Sequence, residues 1–448
     1  MKKDDCKTLK YHFIGIGGIS MSALAYFAIR QGVIVSGSDM TQSHVTDALV
    51  KEGAKVYIGH NISNITPDID LVIFTGAISE NNVELTYAKQ LGIPQMERSE
   101  YLGLISKNYN TIISIAGTHG KTTTTSLLGD ILIGAKLNPT IHLGGESVRF
   151  GNAHIGGREY FVTEACEYRN SFKYLHSDFA VITNIEADHL DYYKTFENVK
   201  NAFISFANSS KNVVVWNNRW LKEVVNSNLI FVGTKKSDTF FVCNIKRNAS
   251  GKYSYIIKCN NEELAKISLN YPGVHLVKDS ACAFAVAYML GIDVTLITDA
   301  ICSYKGVKRR FELIGRTKFN IPIIADYAHH PKEIESTIKS CKMIYKRIMC
   351  VFQPHTYTRT RELMTEFVRC FDGVEDIVVY KTYEAREQYM NEGSARTLYD
   401  KIYIENKRYF DSASDMLNYV ENSDNFDLIL VLGAGDIYEY FKNKYSCG

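Results

Sequence analysis

Residues 111–126 read TIISIAGTHGKTTTTS. The opening six residues form an apolar run broken only by Ser114, as a strand buried on both faces requires. Gly117 and Gly120 interrupt it, and Lys121-Thr122-Thr123 lead into a helical pattern. A glycine-rich turn between strand and helix exposes successive backbone N–H groups at a helix N-terminus, a cradle for phosphate. Lys121 can reach the β- and γ-phosphates, and Thr122 or Thr123 can hold Mg²⁺. The common phosphate-loop pattern has an earlier glycine where this chain has Ile115, so the loop is a shortened version. Gly117, Thr118, His119, Gly120, Lys121, Thr122 and Thr123 are therefore candidate phosphate-binding residues. The plain alternative is a glycine turn with a chance Lys-Thr after it; the strand before and the helix after argue against that.

Upstream, YHFIGI (11–16) predicts a strand that runs into Gly15, Gly17 and Gly18, followed by a helical stretch from Ile19 to Arg30. VIVSGSD (33–39) and LVIFTG (71–76) are further strands, with a helical stretch near 45–52 between them. This is βαβ alternation, which implies a parallel sheet covered by helices. The first glycine turn resembles a dinucleotide fingerprint with Ser20 in place of the third glycine, and Asp39 closes the second strand where a ribose-binding acid would stand. It predicts a nucleotide or diphosphate on the first domain; an ordinary tight turn would explain the glycines alone.

Downstream, YFVTEA (160–165), FAVITNI (179–185) and NVVVWN (212–217) extend the second sheet. FFVCNI, YSYIIK and KISLNY, between 230 and 270, are short and alternating and predict an added antiparallel segment. A helical, alanine-rich stretch covers 276–290. IPIIADY (321–327), RIMCVFQ (347–353), DIVVYK (376–381) and DLILVLG (427–433) form a third α/β unit, with Pro331 at a favoured helix-start position. The expected division is 1–107, 108–317 and 318–448. The fold class is α/β with three domains: a Rossmann-like first, a phosphate-loop ATPase-like centre with added antiparallel strands, and a Rossmann-like third.

The chain has 448 residues, which suits about three domains. Lys+Arg 51 against Asp+Glu 49 gives a net charge of +2, with no basic surplus for nucleic acid. The charged start MKKDDCKTLK lacks the apolar run of a secretory signal, and no apolar stretch is long enough for a membrane span. Ten cysteines, from Cys6 to Cys447, include no Cys-x-x-Cys pair and read as reduced thiols of a cytoplasmic protein. Trp216, Trp220 and Cys166 read as packing residues.

Strand ends carry the remaining chemistry, because sites in open α/β sheets lie at carboxyl ends of strands. Glu164-Ala-Cys-Glu167 ends one, and Thr183-Asn184-Ile-Glu186-Ala-Asp188-His189 the next. Beside a phosphate loop, Glu164 and His189 are candidate Mg²⁺ ligands; an N-cap acid and a surface histidine are the plain alternative. Asp326-Tyr327-Ala328-His329-His330 and Phe352-Gln353-Pro354-His355-Thr356-Tyr357-Thr358-Arg359-Thr360-Arg361 close adjacent strands of the third unit, and paired arginines there suit carboxylate or phosphate. Lys308-Arg309-Arg310-Phe311 could face nucleotide phosphate.

Taken together, FIGIGGISMSALA, SGSD, IAGTHGKTTTT, EACEYRNSF, NIEADHLDYY, GVKRRFELIG, DYAHHP, FQPHTYTRTREL and LGAGDIY resemble the muramyl (Mur) ligases of peptidoglycan synthesis from end to end, and most of all the alanine-adding branch. The resemblance implies an ATP- and Mg²⁺-dependent ligase that joins L-alanine to the lactyl carboxylate of UDP-N-acetylmuramate through an acyl phosphate. It implies that Gly15, Gly17, Gly18, Ser38 and Asp39 serve the UDP moiety. Lys121 and Thr122–Thr123 would hold the triphosphate and metal, with Glu164 and His189 as metal ligands and Asn184 beside them. His275, Arg310 and Asp326 would contact ATP; Tyr327, His329 and Arg359 would face the alanine. A monomer or weak homodimer is expected, with neither nucleic acid nor membrane as partner.

Two departures stand out. Leu276 and Asp279 replace asparagines that help read adenine in the family, which implies weaker base selectivity. Thr356 stands where some members have arginine. A ligase for another amino acid or a recycled peptide, a UDP-sugar-binding relative without turnover, and, least of all, an NAD-dependent dehydrogenase are the competing readings.

Overall fold

The computed structural model describes residues 8–216, 221, 223–225, 227–385 and 387–446, so Cys6, Asn217, Trp220 and Cys447 lie outside the described residues. Three sheets carry the fold. The first comprises β1 (Lys10–Ile14), β2 (Ile34–Asp39), β3 (Lys55–Ile58), β4 (Leu71–Phe74) and β5 (Gln95–Glu97), all parallel, in the order β3-β2-β1-β4-β5. Strand order reverses at β1, and the glycine turn leaves from its carboxyl end, the place where α/β sheets bind ligands.

The second sheet has ten strands: β6 (Thr111–Ala116), β7 (Thr140–Ser147), β8 (Gly151–His154), β9 (Tyr160–Glu164), β10 (Phe179–Ile182), β11 (Asn212–Trp216), β12 (Asn228–Gly233), β13 (Phe240–Arg247), β14 (Lys252–Cys259) and β15 (Glu262–Pro272). Their order is β15-β14-β13-β12-β11-β10-β6-β9-β7-β8. β6 lies between β10 and β9, parallel to both, which brings three strand ends beside the phosphate loop. The β7–β8 hairpin is antiparallel. β13 begins parallel to β12, at Val232–Phe240 and Gly233–Phe241, so the second sheet is mixed.

The third sheet runs β16 (Glu312–Arg316), β17 (Pro322–Asp326), β21 (Leu428–Leu432), β18 (Ile348–Phe352), β19 (Asp376–Tyr380) and β20 (Lys407–Phe410) in that spatial order. β18, β19 and β21 are buried along their whole length, the pattern of parallel strands covered on both faces. β16 falls before the expected boundary at 317/318 but pairs antiparallel with β17 in this sheet. The polar and glycine content of ELIGR hides that edge strand from a search for apolar runs.

By packing, the chain forms two compact units, one of residues 1–246, 254–270 and 274–305, the other of 247–253, 271–273 and 306–448. The first two sheets share a unit because their cores merge: Phe27, on the helix Ile19–Arg30, meets Phe161 of β9 with ring centroids 6.3 Å apart. The third sheet has a core on each face, one around Phe352, Phe367 and Phe371 and one around Met349, Val351 and Phe441. The described cysteines are free thiols. Among the described residues no helix is long and apolar enough to cross a membrane.

Candidate active site

The phosphate loop takes its shape from glycine and from the end of β10. Gly117 has φ +135° and Gly120 φ +87°, a region that side chains disfavour. A Cβ on Gly117 would collide with Thr183 Oγ1, and one on Gly120 would lie 2.6 Å from Asp279 Oδ1. Asn184 accepts from the His119 N–H through Oδ1 (2.9 Å) and from the Thr118 N–H through its carbonyl (3.3 Å). The Glu186 N–H donates to Thr118 Oγ1 at 3.0 Å, and Thr183 donates to the His119 carbonyl. Asn184 therefore acts as a clamp on the loop. Gly120 caps the helix Lys121–Gly134 with no side-chain acceptor, which leaves its first amides available to an anion.

Lys121 is not the exposed loop lysine that a glycine turn suggests. Its side chain is 17% exposed and pairs with Glu167, which is 3% exposed, at 2.9 Å. Nζ also donates to the carbonyls of Gly117 and Thr118. Burial draws its pKa down, but the carboxylates of Glu167 and Glu164 outweigh it and hold the ammonium above its ordinary range.

Glu167, Asp188 and His189 bring one ligand atom each within 4.8 Å of one another. His189 Nε2 lies 3.7 Å from Glu167 and 3.8 Å from Asp188. His189 has φ 54°, and Asp188 Oδ1 accepts its N–H at 2.7 Å, which holds that left-handed turn. Of the two residues expected as metal ligands, His189 belongs to this group. Glu164 instead accepts the Gly144 N–H through Oε1 at 2.7 Å. Sequence reading chose Glu164 as the residue closing the strand and passed over Glu167, three positions on, and Asp188.

Around the first glycine turn, every amide from 15 to 18 is already committed. Gly15 and Ile16 donate to the Ser38 carbonyl, Gly18 to the Gly15 carbonyl, and Gly17 to Asp39 Oδ2 at 2.9 Å. The open donors are thus the first amides of the helix Ile19–Arg30, which has no side-chain cap. Ser38, expected to serve the UDP moiety, keeps its hydroxyl inside the fold. Its side chain is fully buried, donating to Glu84 and meeting His60 Nδ1 at 3.0 Å. Glu84, itself buried, also accepts from Asn64 Nδ2 and the Asn61 N–H. Burial alone would raise its pKa, yet the hydrogen bonds from His12, Ser38 and Asn64 prevail and hold it at about 2.

The helix His275–Met289 opens with an exposed His275, while Leu276 and Asp279 are buried. Asp279 therefore lies buried close to Gly120, where a Cβ would stand 2.6 Å from its Oδ1.

The second unit holds its own cluster. Asp326 accepts the N–H groups of Phe311 (2.8 Å) and Ala328 (2.9 Å); burial raises its pKa against the pull of Arg310 and these bonds. The Arg310 guanidinium stands 5.4 Å from the Tyr327 ring centroid. His329 Nδ1 meets the Tyr327 carbonyl at 3.0 Å, and His355 Nδ1 meets Arg359 Nη1 at 3.2 Å. Burial, then Arg359, push His355 down to about 4; burial also lowers His329, so both rings are neutral near pH 7. Arg310, Asp326, Tyr327, His329 and Arg359 lie together in this unit. Thr356, at φ 66°, donates its N–H to the Tyr383 carbonyl and caps the helix Tyr357–Glu362.

Three family models match the chain in succession: Mur ligase family, catalytic domain, over 10–110; Mur ligase middle domain over 115–287; and Mur ligase, glutamate ligase domain, over 309–435. A UDP-N-acetylmuramate–L-alanine ligase of Clostridium kluyveri is 42% identical, covering 98% of each chain. One from Acetivibrio thermocellus is also 42% identical, covering 97% of this chain and 95% of the other. Among solved structures, UDP-N-acetylmuramate-alanine ligase from Thermotoga maritima superposes with a TM-score of 0.83 at 26% identity, over 97% of this chain and 98% of that one.

Proposed function

This chain belongs to the Mur ligase family, and we propose that within it the enzyme joins L-alanine to the lactyl carboxylate of UDP-N-acetylmuramate, with ATP as the phosphoryl donor. The observation that carries this reading is the phosphate loop led by Lys121, with Glu167, Asp188 and His189 at the neighbouring strand ends. The likeness to alanine-adding ligases selects the amino acid.

A triphosphate fits the residues present. The loop is shaped so that a Cβ at Gly117 or Gly120 would collide with its supports, the helix beyond it has an uncapped N-terminus, and a lysine stands at its head. Thr122, Glu164 and His189, with Glu167 and Asp188 grouped around His189, are the residues that would hold Mg²⁺, and oxygen donors predominate as that ion requires. ATP converts the carboxylate, a poor electrophile, into an acyl phosphate open to attack by the alanine amine.

The chain's own work is positioning and charge. Lys121 offsets negative charge on the transferred group, in a partly buried site where electrostatic contacts are strong. Asn184 and Thr183 keep the loop in its binding shape. The amides opening the helix Ile19–Arg30 take the diphosphate of UDP, and Asp39 fixes the turn that presents them. In the second unit, Arg359 takes the alanine carboxylate, Tyr327 lines its site, and Arg310 and Asp326 serve ATP; in the first unit, His275 serves ATP. His329, neutral because it is buried, is in the form that accepts the amine's proton. We place the enzyme in the cytoplasm as a monomer or weak homodimer, with three domains divided near 107/108 and ahead of β16.

The test is phosphate release with ATP, UDP-N-acetylmuramate and each amino acid in turn, with the product weighed by mass spectrometry. Alanine should give the highest kcat/KM. Preference for another amino acid or for a peptide overturns the assignment of alanine, and binding of the sugar nucleotide without phosphate release overturns the ligase.

A further inference from the structure

Arg98 opens the helix Arg98–Ser106 directly after β5, in a stretch where the sequence carries no recognisable motif. Its side chain is half-buried. Nη1 donates to Ser20 Oγ at 3.1 Å, at the head of the helix whose first amides are open. Among the described residues no carboxylate lies within ion-pairing distance of this guanidinium, whereas the equally half-buried Arg309 pairs with Glu439 at 2.6 Å. A guanidinium withdrawn from water with one neutral hydrogen bond retains donors for a planar anion.

The surroundings hold that guanidinium in place. Ser20 Oγ also meets His142 Nε2 at 2.9 Å, and His142 Nδ1 meets Thr163 Oγ1 at 2.9 Å. His142 is buried; burial and the Arg98 charge together push it to about 3, so it adds no cation of its own. Asn152 of β8 bonds the Ile19 carbonyl (2.8 Å) and Ser22 Oγ (2.9 Å), which fixes the first turn of the helix against the second sheet. Two residues beyond His142, the Gly144 N–H binds Glu164. The Arg98 charge also bears on Cys166, a residue flanked electrostatically by Lys121 and Glu167. Arg98 thus belongs both to the head of the first helix and to the strand end facing the phosphate loop.

We infer that Arg98 is a substrate-binding residue that takes the lactyl carboxylate of the sugar nucleotide and holds it for phosphorylation. The inference rests on the proposed ligase reading. The diphosphate has the open helix amides; the carboxylate is the group that must come within reach of Lys121, and Arg98 stands on that side. His142 is a positioning residue acting through Ser20.

The experiment compares wild type, Arg98→Ala, Arg98→Lys and His142→Phe, each checked for folding by thermal melting. Calorimetry gives affinities for UDP-N-acetylmuramate, for UDP-N-acetylglucosamine, which lacks the lactyl group, and for UDP; kinetics give KM for each substrate. In Arg98→Ala we expect UDP-N-acetylmuramate affinity to fall ~10- to 100-fold, the loss for a charged hydrogen bond, with UDP and UDP-N-acetylglucosamine affinities and the KM for ATP unchanged. Added guanidinium ion should restore part of the loss, and Arg98→Lys, which keeps the charge without the fork, should fall between. An equal loss for UDP would place Arg98 on the diphosphate and overturn the inference, as would unchanged UDP-N-acetylmuramate affinity. If Arg98→Ala melts early, Arg98→Lys carries the same comparison. Should wild type bind the sugar nucleotide without forming amide, the ligase reading fails while the binding comparison still decides on Arg98.

Discussion

The turns Gly15–Gly18 and Gly117–Gly120 each follow the first strand of a sheet and each open a helix, but they are braced differently. The first is closed on itself: its four amides are consumed by Ser38, Gly15 and Asp39, and its support is a neutral and acidic network around Glu84. The second is clamped from outside by Thr183, Asn184 and Glu186, and carries a buried cation at its exit. The same strand–turn–helix plan therefore yields a static holder in one place and a charged, chemically active loop in the other. Glycine content is common to both; what separates them is the next residue and its partner, Ile19 without a charge against Lys121 with Glu167.

Removing the cation tests that difference most severely. Lys121→Ala should slow turnover by ~100- to 1000-fold, about 3–4 kcal/mol of transition-state stabilisation. It should also lower stability by about 3 kcal/mol, because Glu167 is left buried without its counter-charge. The double variant Lys121→Ala/Glu167→Ala should regain most of that stability in urea denaturation and none of the rate. If the single variant is as stable as wild type, the pair has no structural part in bracing the loop.

Adding a methyl group separates the turns by strain. Gly120→Ala meets both a positive φ and Asp279 Oδ1 at 2.6 Å, and should cost about 2–3 kcal/mol. Gly17→Ala has no positive φ and meets Asp39 Oδ2 at 2.9 Å, so a cost of about 1 kcal/mol is expected. Equal denaturation midpoints would contradict the distinction.

Asp39→Ala acts on the first turn alone. Losing the acceptor for the Gly17 N–H should cost about 1 kcal/mol and raise the KM for the sugar nucleotide several-fold, with the KM for ATP unchanged. A matching rise in the KM for ATP would mean that the two turns are coupled.

The two turns also differ in pH dependence, with opposite signs. Glu84 is held at about 2 in the fold against an ordinary 4.5, so its stabilisation is complete above 4.5 and lost as pH falls from there toward 2. Lys121 is raised above its ordinary 10.5, so its contribution is complete below that value and lost as pH rises through the raised one. Hydrogen exchange should show amides near Ser38 loosening on the acid side and those of the phosphate loop on the alkaline side. Glu84→Gln should flatten the acid limb only.

The phosphate loop and most parallel strands were legible because glycine pairs and unbroken apolar runs are local signals. β16 and the β7–β8 hairpin were not, since ELIGR and TIHLGGES mix polar, glycine and apolar residues at an edge, where pairing decides what pattern does not. The site divides in the same way. Lys121 and His189 announce themselves by motif, whereas Arg98 and His142 become meaningful only through Ser20, 78 and 122 residues away in sequence. Glu167 was visible but ranked below Glu164, because only the fold shows which of two nearby acids faces the lysine. Ser38 is the opposite case: a serine at a strand end reads as a ligand contact, while its hydroxyl in the fold donates to the buried Glu84.

The ion pair at the exit of the phosphate loop has one more consequence. With Glu167 on Lys121, the fold presents no naked charge there, and the cost of desolvating the ammonium is met during folding. Arrival of a polyphosphate is then an exchange of one anion for another. Measured affinity reports the difference between two partners of the same lysine, and it should vary less with ionic strength than the charge of the nucleotide alone would suggest.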